Sequence, residues 1–213
     1  EIGSGWGGFA IYAALHYGCK VTTITISQAQ YDEAVARIEA TGLSHRVDVQ
    51  LKDYRLLEGK YDKLVSIEMI EAVGEQYLPI YFNKCRELLK SNGLALIQAI
   101  TIEDARYAKA LNTVDYIKRY IFPGSFIPCI SVMTQAASEQ KLRLKHLEDI
   151  GQSYAQTLHC WRQRFLEQRD QVMGLGFDES FIRMWDFYLC YCEGGFREGV
   201  ISDVHLLFEA SAY

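Results

Sequence analysis

The sequence predicts an α/β fold with a mostly parallel central sheet, helices on both faces, and a helical lid inserted late in the chain. Three observations carry this. A glycine cluster, Gly3, Gly5, Gly7 and Gly8, is followed at once by a helical pattern and then by a β-branched strand. Residues 1–102 alternate strand and helix signals, which implies parallel strands covered on both sides. After residue 102 the chain turns helical and aromatic-rich, broken by Pro123-Gly124 and Pro128.

Taken in order, Glu1-Ile2 reads as the end of a strand, so the chain as given starts inside it. Glycines crowd where backbone turns sharply or lies against a ligand, because they have no Cβ to clash. "GFAIYAALHYG" then has apolar amphipathic helical spacing with Gly18 as C-cap, and "KVTTITIS" is β-branched. Turn, helix and strand in that order form the first crossover of a nucleotide-binding sheet. "SQAQYDEAVARIEATGL" is helical between Ser27 as N-cap and Gly42 as stop. "HRVDVQLKDY" alternates like a half-buried strand, and "KLVSIEM" reads as a buried one. "YLPIYFNKCRELLKSNG" predicts a helix ending at Gly93, and "LALIQAITI" another buried strand. The remainder predicts a broken helical stretch over 103–129, a strand at "LRLKHLEDIG", two helices over 154–197 and a closing strand at "ISDVHLLFEA". The expected organisation is one domain over 1–213. Residues 1–102 form its cofactor-binding half; 103–140 and 154–197 form a lid over the sheet's C-terminal edge.

Composition excludes several classes. The 213 residues suit one domain with a substantial core, and 49% apolar with 23% charged residues is ordinary for a globular protein. A net charge of −5 argues against nucleic acid as a partner, and no apolar run is long enough to span a bilayer. The six cysteines show no C-x-x-C pair and the five histidines are scattered. They read as reduced, mostly core thiols of a cytoplasmic protein without a metal site.

Three motifs point to chemistry. The glycine run is E-x-G-x-G-x-G and lacks the G-K-[ST] of a phosphate loop. Glu1, before the turn, suits a ligand carrying an ammonium and a sulfonium better than a pyrophosphate; the plain alternative is a tight βα turn. In "QLKDYRLL", Asp53 can accept from an adenine amino group while Tyr54 packs on the base, or they are a solvated acid and a core tyrosine. These residues alone leave both readings open. "SIEMIEAVGEQY" ends a buried strand with Glu68 and Glu71, and burying a carboxylate is costly without compensation. Strand C-termini are where open α/β sheets keep their sites, so Glu71 reads as functional rather than as a solvated capping acid.

Together "EIGSGWGGFA", "TITISQAQ", "KDYR", "EMIEAVG", "RYIFPGSFIP", "SYAQTLHCWRQRF" and "CEGGFREG" resemble the catalytic domain of cyclopropane fatty acid synthases, over nearly the whole chain. The group includes the mycolic acid cyclopropane synthases and related fatty-acid methyltransferases. The resemblance implies a Rossmann-like, S-adenosylmethionine-dependent methyltransferase fold. It places Glu1, Gly3, Gly5 and Trp6 at the methionine moiety, Thr25 and Gln30 at the ribose, and Asp53 and Tyr54 at the adenine. It also implies a bicarbonate ion beside the methyl group, held by Glu71, Gln98, the backbone of Ile100, and Tyr154. Tyr116, Tyr120, Phe122 and Phe126 would line an acyl tunnel.

Two departures bear on this. The family usually has histidine where this chain has Gln98, and its cysteine region would lie upstream of Glu1. The implied activity is transfer of a methyl or methylene group to the double bond of an unsaturated acyl chain of a phospholipid, at a membrane surface. A methyltransferase for another small or apolar substrate and a lipid-binding relative without catalysis are the alternatives. Oligomeric assembly is left open.

Overall fold

The computed structural model describes residues 1–211. Its first half runs α1 (Gly8–Tyr17), β1 (Val21–Thr25), α2 (Gln28–Ala40), β2 (Val47–Leu51), β3 (Tyr61–Ile67), α3 (Leu78–Leu88) and β4 (Leu89–Ile102). Then follow α4 (Asp104–Leu111), α5 (Ile130–Glu139), β5 (Leu142–Asp149), α6 (Gly151–Glu167), α7 (Arg169–Gly174), α8 (Glu179–Arg197) and β6 (Ile201–Ala210). Single turns of tighter or wider helix stand at Tyr54–Leu56, Ile70–Ala72, Glu75–Tyr77 and Ile117–Ile121.

Glu1-Ile2 is the seam of the sheet. Ile2 bridges Ile24 of β1 in parallel, and its N–H donates to Val65 O of β3 at 2.9 Å. The stub therefore joins the parallel pair β1–β2 to the parallel pair β3–β4, in the order β2, β1, stub, β3, β4. Beyond β4 the direction reverses: β6 lies antiparallel to β4, with β5 antiparallel on its far side. The sheet is parallel from β2 through β4 and antiparallel at the β6–β5 end. Strand order reverses at the stub, so a ligand crevice belongs at the glycine turn that leaves it.

Alternation divides β4 between two layers. Ala95, Ile97 and Ala99 are buried in the main core with Tyr81, Phe82 and Phe208. Tyr54, Tyr81, Phe82 and Phe208 meet edge to face in a chain, at centroid spacings of 5.7, 5.2 and 5.8 Å. Gln98 and Ile100 lie on the opposite face, towards α6 and α8.

Four expectations change. The third helix ends at Leu88 rather than Gly93, because Leu89 already pairs with Tyr61 and Asn92 turns the chain at φ 61. α1 is a helix, but its buried face is Ala10, Ala13 and Ala14, while Tyr12, Leu15 and Tyr17 point outwards. Small residues are needed there because the helix lies close to its neighbours: a Cβ on Gly7 would meet Ala34 at 3.2 Å. α5, within the stretch read as lid, buries Met133, Ala136 and Ala137 in the main core. Of the cysteines only Cys85 and Cys129 are buried; Cys19 and Cys190 are exposed.

α6 starts flat against β6. A Cβ on Gly151 would lie 3.1 Å from the Ser202 Cα and closer still to its hydroxyl. Gly151→Ala should therefore lower stability by about 1–3 kcal/mol through overpacking, read as a fall in the urea midpoint. An unchanged midpoint would show the contact to be looser than described.

Candidate functional site

The opening turn combines backbone freedom with a buried acid. Gly5 has φ 47, and a Cβ there would meet nothing within 4 Å, so the turn faces open space. Glu1 is largely buried; it accepts from Thr23 Oγ1 at 2.5 Å, and burial holds its carboxyl above the ordinary range. Thr25 donates to Gln30 Oε1 at 2.8 Å and accepts from Ser27 N–H, which fastens the end of β1 to the start of α2. The Trp6 ring is exposed beside the turn, and its carbonyl accepts from Arg37 at 2.6 Å.

Asp53 has a partner that sequence reasoning missed. It caps the turn at Tyr54–Leu56, accepting from Arg55 N–H at 2.9 Å, and it pairs with the Arg55 guanidinium at 2.6 Å. Those bonds hold its carboxyl below the usual range. Tyr54 is wedged against Tyr81 at the edge of the core.

The second part of the site is a cluster of acids at the end of β3. Glu68 Oε1 accepts from Gln98 Nε2 at 2.8 Å, and Glu68 Oε2 accepts from the Tyr154 hydroxyl at 2.8 Å. The same Gln98 nitrogen donates to Asp203 Oδ2 at 2.7 Å, and its carbonyl lies 3.1 Å from His205 Nε2. Register explains the meeting: Gln98 stands opposite His205 on β6, and Asp203 is its diagonal neighbour on the same face. Tyr154 enters from the first turn of α6. Glu71, in the turn after β3, accepts from Ile100 N–H at 2.7 Å, completing the β4 ladder where β3 has run out.

Electrostatically the cluster is unbalanced. Glu71 Oε2 and Asp203 Oδ1 are buried without a partner. Burial, helped by the neighbouring acids, pushes the Glu71 carboxyl up to about 8 and that of Asp203 up to about 7. Burial also raises Glu68, while Tyr154 and Gln98 pull it back. No lysine or arginine compensates these groups. Among the described residues no three such side chains converge as metal ligands would.

The two parts adjoin, since a Cβ on Gly3 would touch Met69 Cγ at 3.3 Å, next to Glu68. Over them lies an aromatic layer. Tyr154 packs on Phe196 and Trp161, and Tyr116 packs on Phe187 of α8 at 4.6 Å. Phe122 meets Tyr188, while Tyr120 and Phe122 are about half exposed. Phe126 departs from the expected tunnel: it is buried in the main core, its N–H bonded to Glu71 O at 3.0 Å.

The donors expected to hold an anion are already used. The Tyr154 hydroxyl and one Gln98 N–H serve Glu68, the other Gln98 N–H serves Asp203, and Ile100 N–H serves Glu71. The residues as arranged do not fit a bicarbonate ion. Sequence reasoning weighed Glu68 and set it behind Glu71, and it missed Asp203 and His205. Their signal was a pair of polar residues at period two inside the apolar strand "ISDVHLLFEA".

An open sheet with a glycine turn at its strand-order reversal defines the class of nucleotide-type cofactor-binding α/β folds. Within that class the mycolic acid cyclopropane synthetase family model matches residues 1–206, and the chain belongs to that family. It is 42% identical over 202 residues to the tuberculostearic acid methyltransferase UfaA1 of Mycobacterium tuberculosis, covering 94% of this chain and 47% of that protein. It is 35% identical over 197 residues to the cyclopropane-fatty-acyl-phospholipid synthase of Escherichia coli, covering 92% and 49%. The chain thus spans about half the length of these curated relatives. The cyclopropane synthase MmaA2 from Mycobacterium tuberculosis has the same fold, with a TM-score of 0.89 at 22% identity over 98% of this chain and 76% of that one. The mycolic acid cyclopropane synthase CmaA1, solved with SAH and CTAB, superposes with a TM-score of 0.88 at 23% identity, over 97% and 75%.

The buried acid gives a testable sign. Glu71 is held protonated in the fold near neutrality, so its contribution to stability is full below its unfolded value of about 4.3 and is lost as pH rises through about 8. Glu71→Gln has no proton to lose there. Its stability relative to the parent protein should therefore rise between about pH 5 and pH 8 in urea denaturation. A difference that stays constant with pH would contradict the shift.

Proposed function

We propose that this chain is the catalytic part of an enzyme that methylates the double bond of an unsaturated fatty acyl chain of a phospholipid, using S-adenosylmethionine. The observation that carries this reading is the juxtaposition of the glycine turn, the acid cluster that begins at Glu68, and the aromatic layer of α6 and α8. Family membership and the two named relatives support it. S-adenosylmethionine supplies the activated methyl group. Glu1, Gly3, Gly5 and Trp6 border its methionine end, Thr25 and Gln30 its ribose, and Asp53 and Tyr54 its adenine, with Asp53 steadied by Arg55.

The residues suit the chemistry in order. A carbon–carbon double bond is a weak nucleophile and must be held close to the methyl in a dry site, which the aromatic layer provides. Methyl addition leaves a cation on the acyl chain, and the faces of the aromatic rings stabilise it. A base must then take a proton, giving a cyclopropane ring or a methylated olefin. We assign Glu71 and Tyr154 to this region, with Gln98 and Ile100 as their supports. Access is from a membrane surface on the cytoplasmic side, through the exposed edge of Tyr120 and Phe122 beside Arg119. No helix of the described residues is long and apolar enough to cross a membrane.

The deciding experiment incubates the full-length protein with methyl-labelled S-adenosylmethionine and unsaturated phospholipid dispersions, with products separated by mass spectrometry. Label should enter the acyl chains. Label entering only a small water-soluble amine would favour a different substrate, and cofactor binding without any turnover would favour a lipid-binding role.

The cofactor assignment has its own check. Gly5→Val puts a β-branched side chain into the open side of the turn at a left-handed φ. Calorimetry should show S-adenosylmethionine binding weakened by at least about tenfold, which is about 1.4 kcal/mol. Undiminished affinity would remove Gly5 from the site.

A further inference from the structure

Resting on that reading, we propose that the Glu68 carboxylate is itself the base of the reaction. It stands where the family resemblance would put a bound anion, so this protein works without bicarbonate. The Tyr154 hydroxyl has one hydrogen and gives it to Glu68 Oε2; the Gln98 amide has two and gives them to Glu68 Oε1 and Asp203 Oδ2. Ile100 N–H is taken by Glu71. An added anion would find no free donor among them. It would also sit against the Glu68 carboxylate, with no lysine or arginine side chain to offset the repulsion. The protein already supplies a carboxylate at the point where these donors converge.

The backbone gives independent support. Glu68 has φ 48, in the left-handed region that glycine adopts freely and glutamate does not. Such strain persists where the side chain has work to do. The strained residue ends β3, adjoins Met69 against the glycine turn, and turns its carboxylate to Tyr154. It is only partly buried, so its proton can exchange with water.

The step balances. The sulfonium's carbon–sulfur bond breaks as the methyl carbon bonds to one alkene carbon, and the neighbouring carbon takes the positive charge. Glu68 removes a proton from the added methyl, and that C–H electron pair closes the ring onto the cationic carbon. Where a hydride first shifts to that carbon and leaves the charge on the methyl-bearing one, the same pair forms a methylidene double bond instead. The acid so formed loses its proton to water. No further reactant is needed.

The test uses full-length protein and unsaturated phospholipid dispersions, in carbon-dioxide-free buffer with and without added bicarbonate. Turnover of the unmodified protein should be the same in both. Glu68→Gly relieves the positive φ, which offsets part of the hydrogen bonding lost with the carboxylate, and circular dichroism checks that the fold is kept. The variant should lose about 100-fold or more in carbon-dioxide-free buffer, the scale of a lost general base, with S-adenosylmethionine affinity unchanged by calorimetry. Bicarbonate should restore part of that loss by entering the vacated space. Glu68→Gln fills the space with an amide and should fall as far without being restored. Carbon-13 NMR titration with bicarbonate should show saturable binding to Glu68→Gly and none to the unmodified protein. Turnover of the unmodified protein that depends on bicarbonate, saturable binding to it, or full turnover by Glu68→Gly in carbon-dioxide-free buffer would overturn the proposal. If the unmodified protein methylates no lipid, the acyl-methyltransferase reading fails, while the titration still decides whether Glu68 excludes the anion.

Discussion

Everything at the candidate site depends on one clasp: the Glu68 carboxylate held between the Gln98 amide and the Tyr154 hydroxyl. It ties the end of β3 to the middle of β4 and to the first turn of α6, and through Gln98 it reaches Asp203 on β6. Hydrogen bonds to a charged group stabilise by roughly 1.5–3 kcal/mol each, whereas acids buried without a cation cost energy. The arrangement holds because protons replace cations. Glu71, with its carboxyl pushed up to about 8, is largely neutral in the fold near pH 7, and Asp203, at about 7, shares its charge with a proton, which leaves Glu68, held by two donors, as the acid whose charge is best supported.

That division explains why a glutamine suits position 98. A neutral histidine has one N–H to donate and a charged one brings a cation. The glutamine amide offers two donors without charge, and here they separate two carboxylates. Gln98 and Glu68 are thus parts of one device: the amide spaces the acids, and the acid takes the donors that a free anion would need. The fold pays for this at Glu68 itself, where a side chain sits in a left-handed backbone.

Much of the fold was legible in the sequence because its signals are local. The glycine turn, the alternation of strands and helices, and the Gly18 cap each rest on a few neighbouring residues. The errors lay where distant contacts decide. Leu89 joins β4 because Tyr61 is there to pair with it, and α5 joins the core because α3 and β5 leave a place for it. At the site, Glu71, Gln98, Ile100 and Tyr154 were visible as motif positions. The carboxylate of Glu68 binding the donors at 98 and 154 was not, because that contact joins residues 30 and 86 positions apart. The same holds for Asp203, 105 residues from the amide it accepts. Arg55 lies only two residues from Asp53, but the residue types there suit a ligand contact and a capping ion pair equally, and only the turn geometry separates them.

Whether Glu68 keeps the anion out depends on where those donors point when cofactor and anion are both present. A crystal structure of the full-length protein grown with S-adenosylhomocysteine and excess bicarbonate answers this directly. It should show Gln98 and Tyr154 still within hydrogen-bond distance of Glu68, with no planar trigonal density between them. A trigonal anion bridging Gln98 and Tyr154, with the Glu68 side chain turned away, would contradict it.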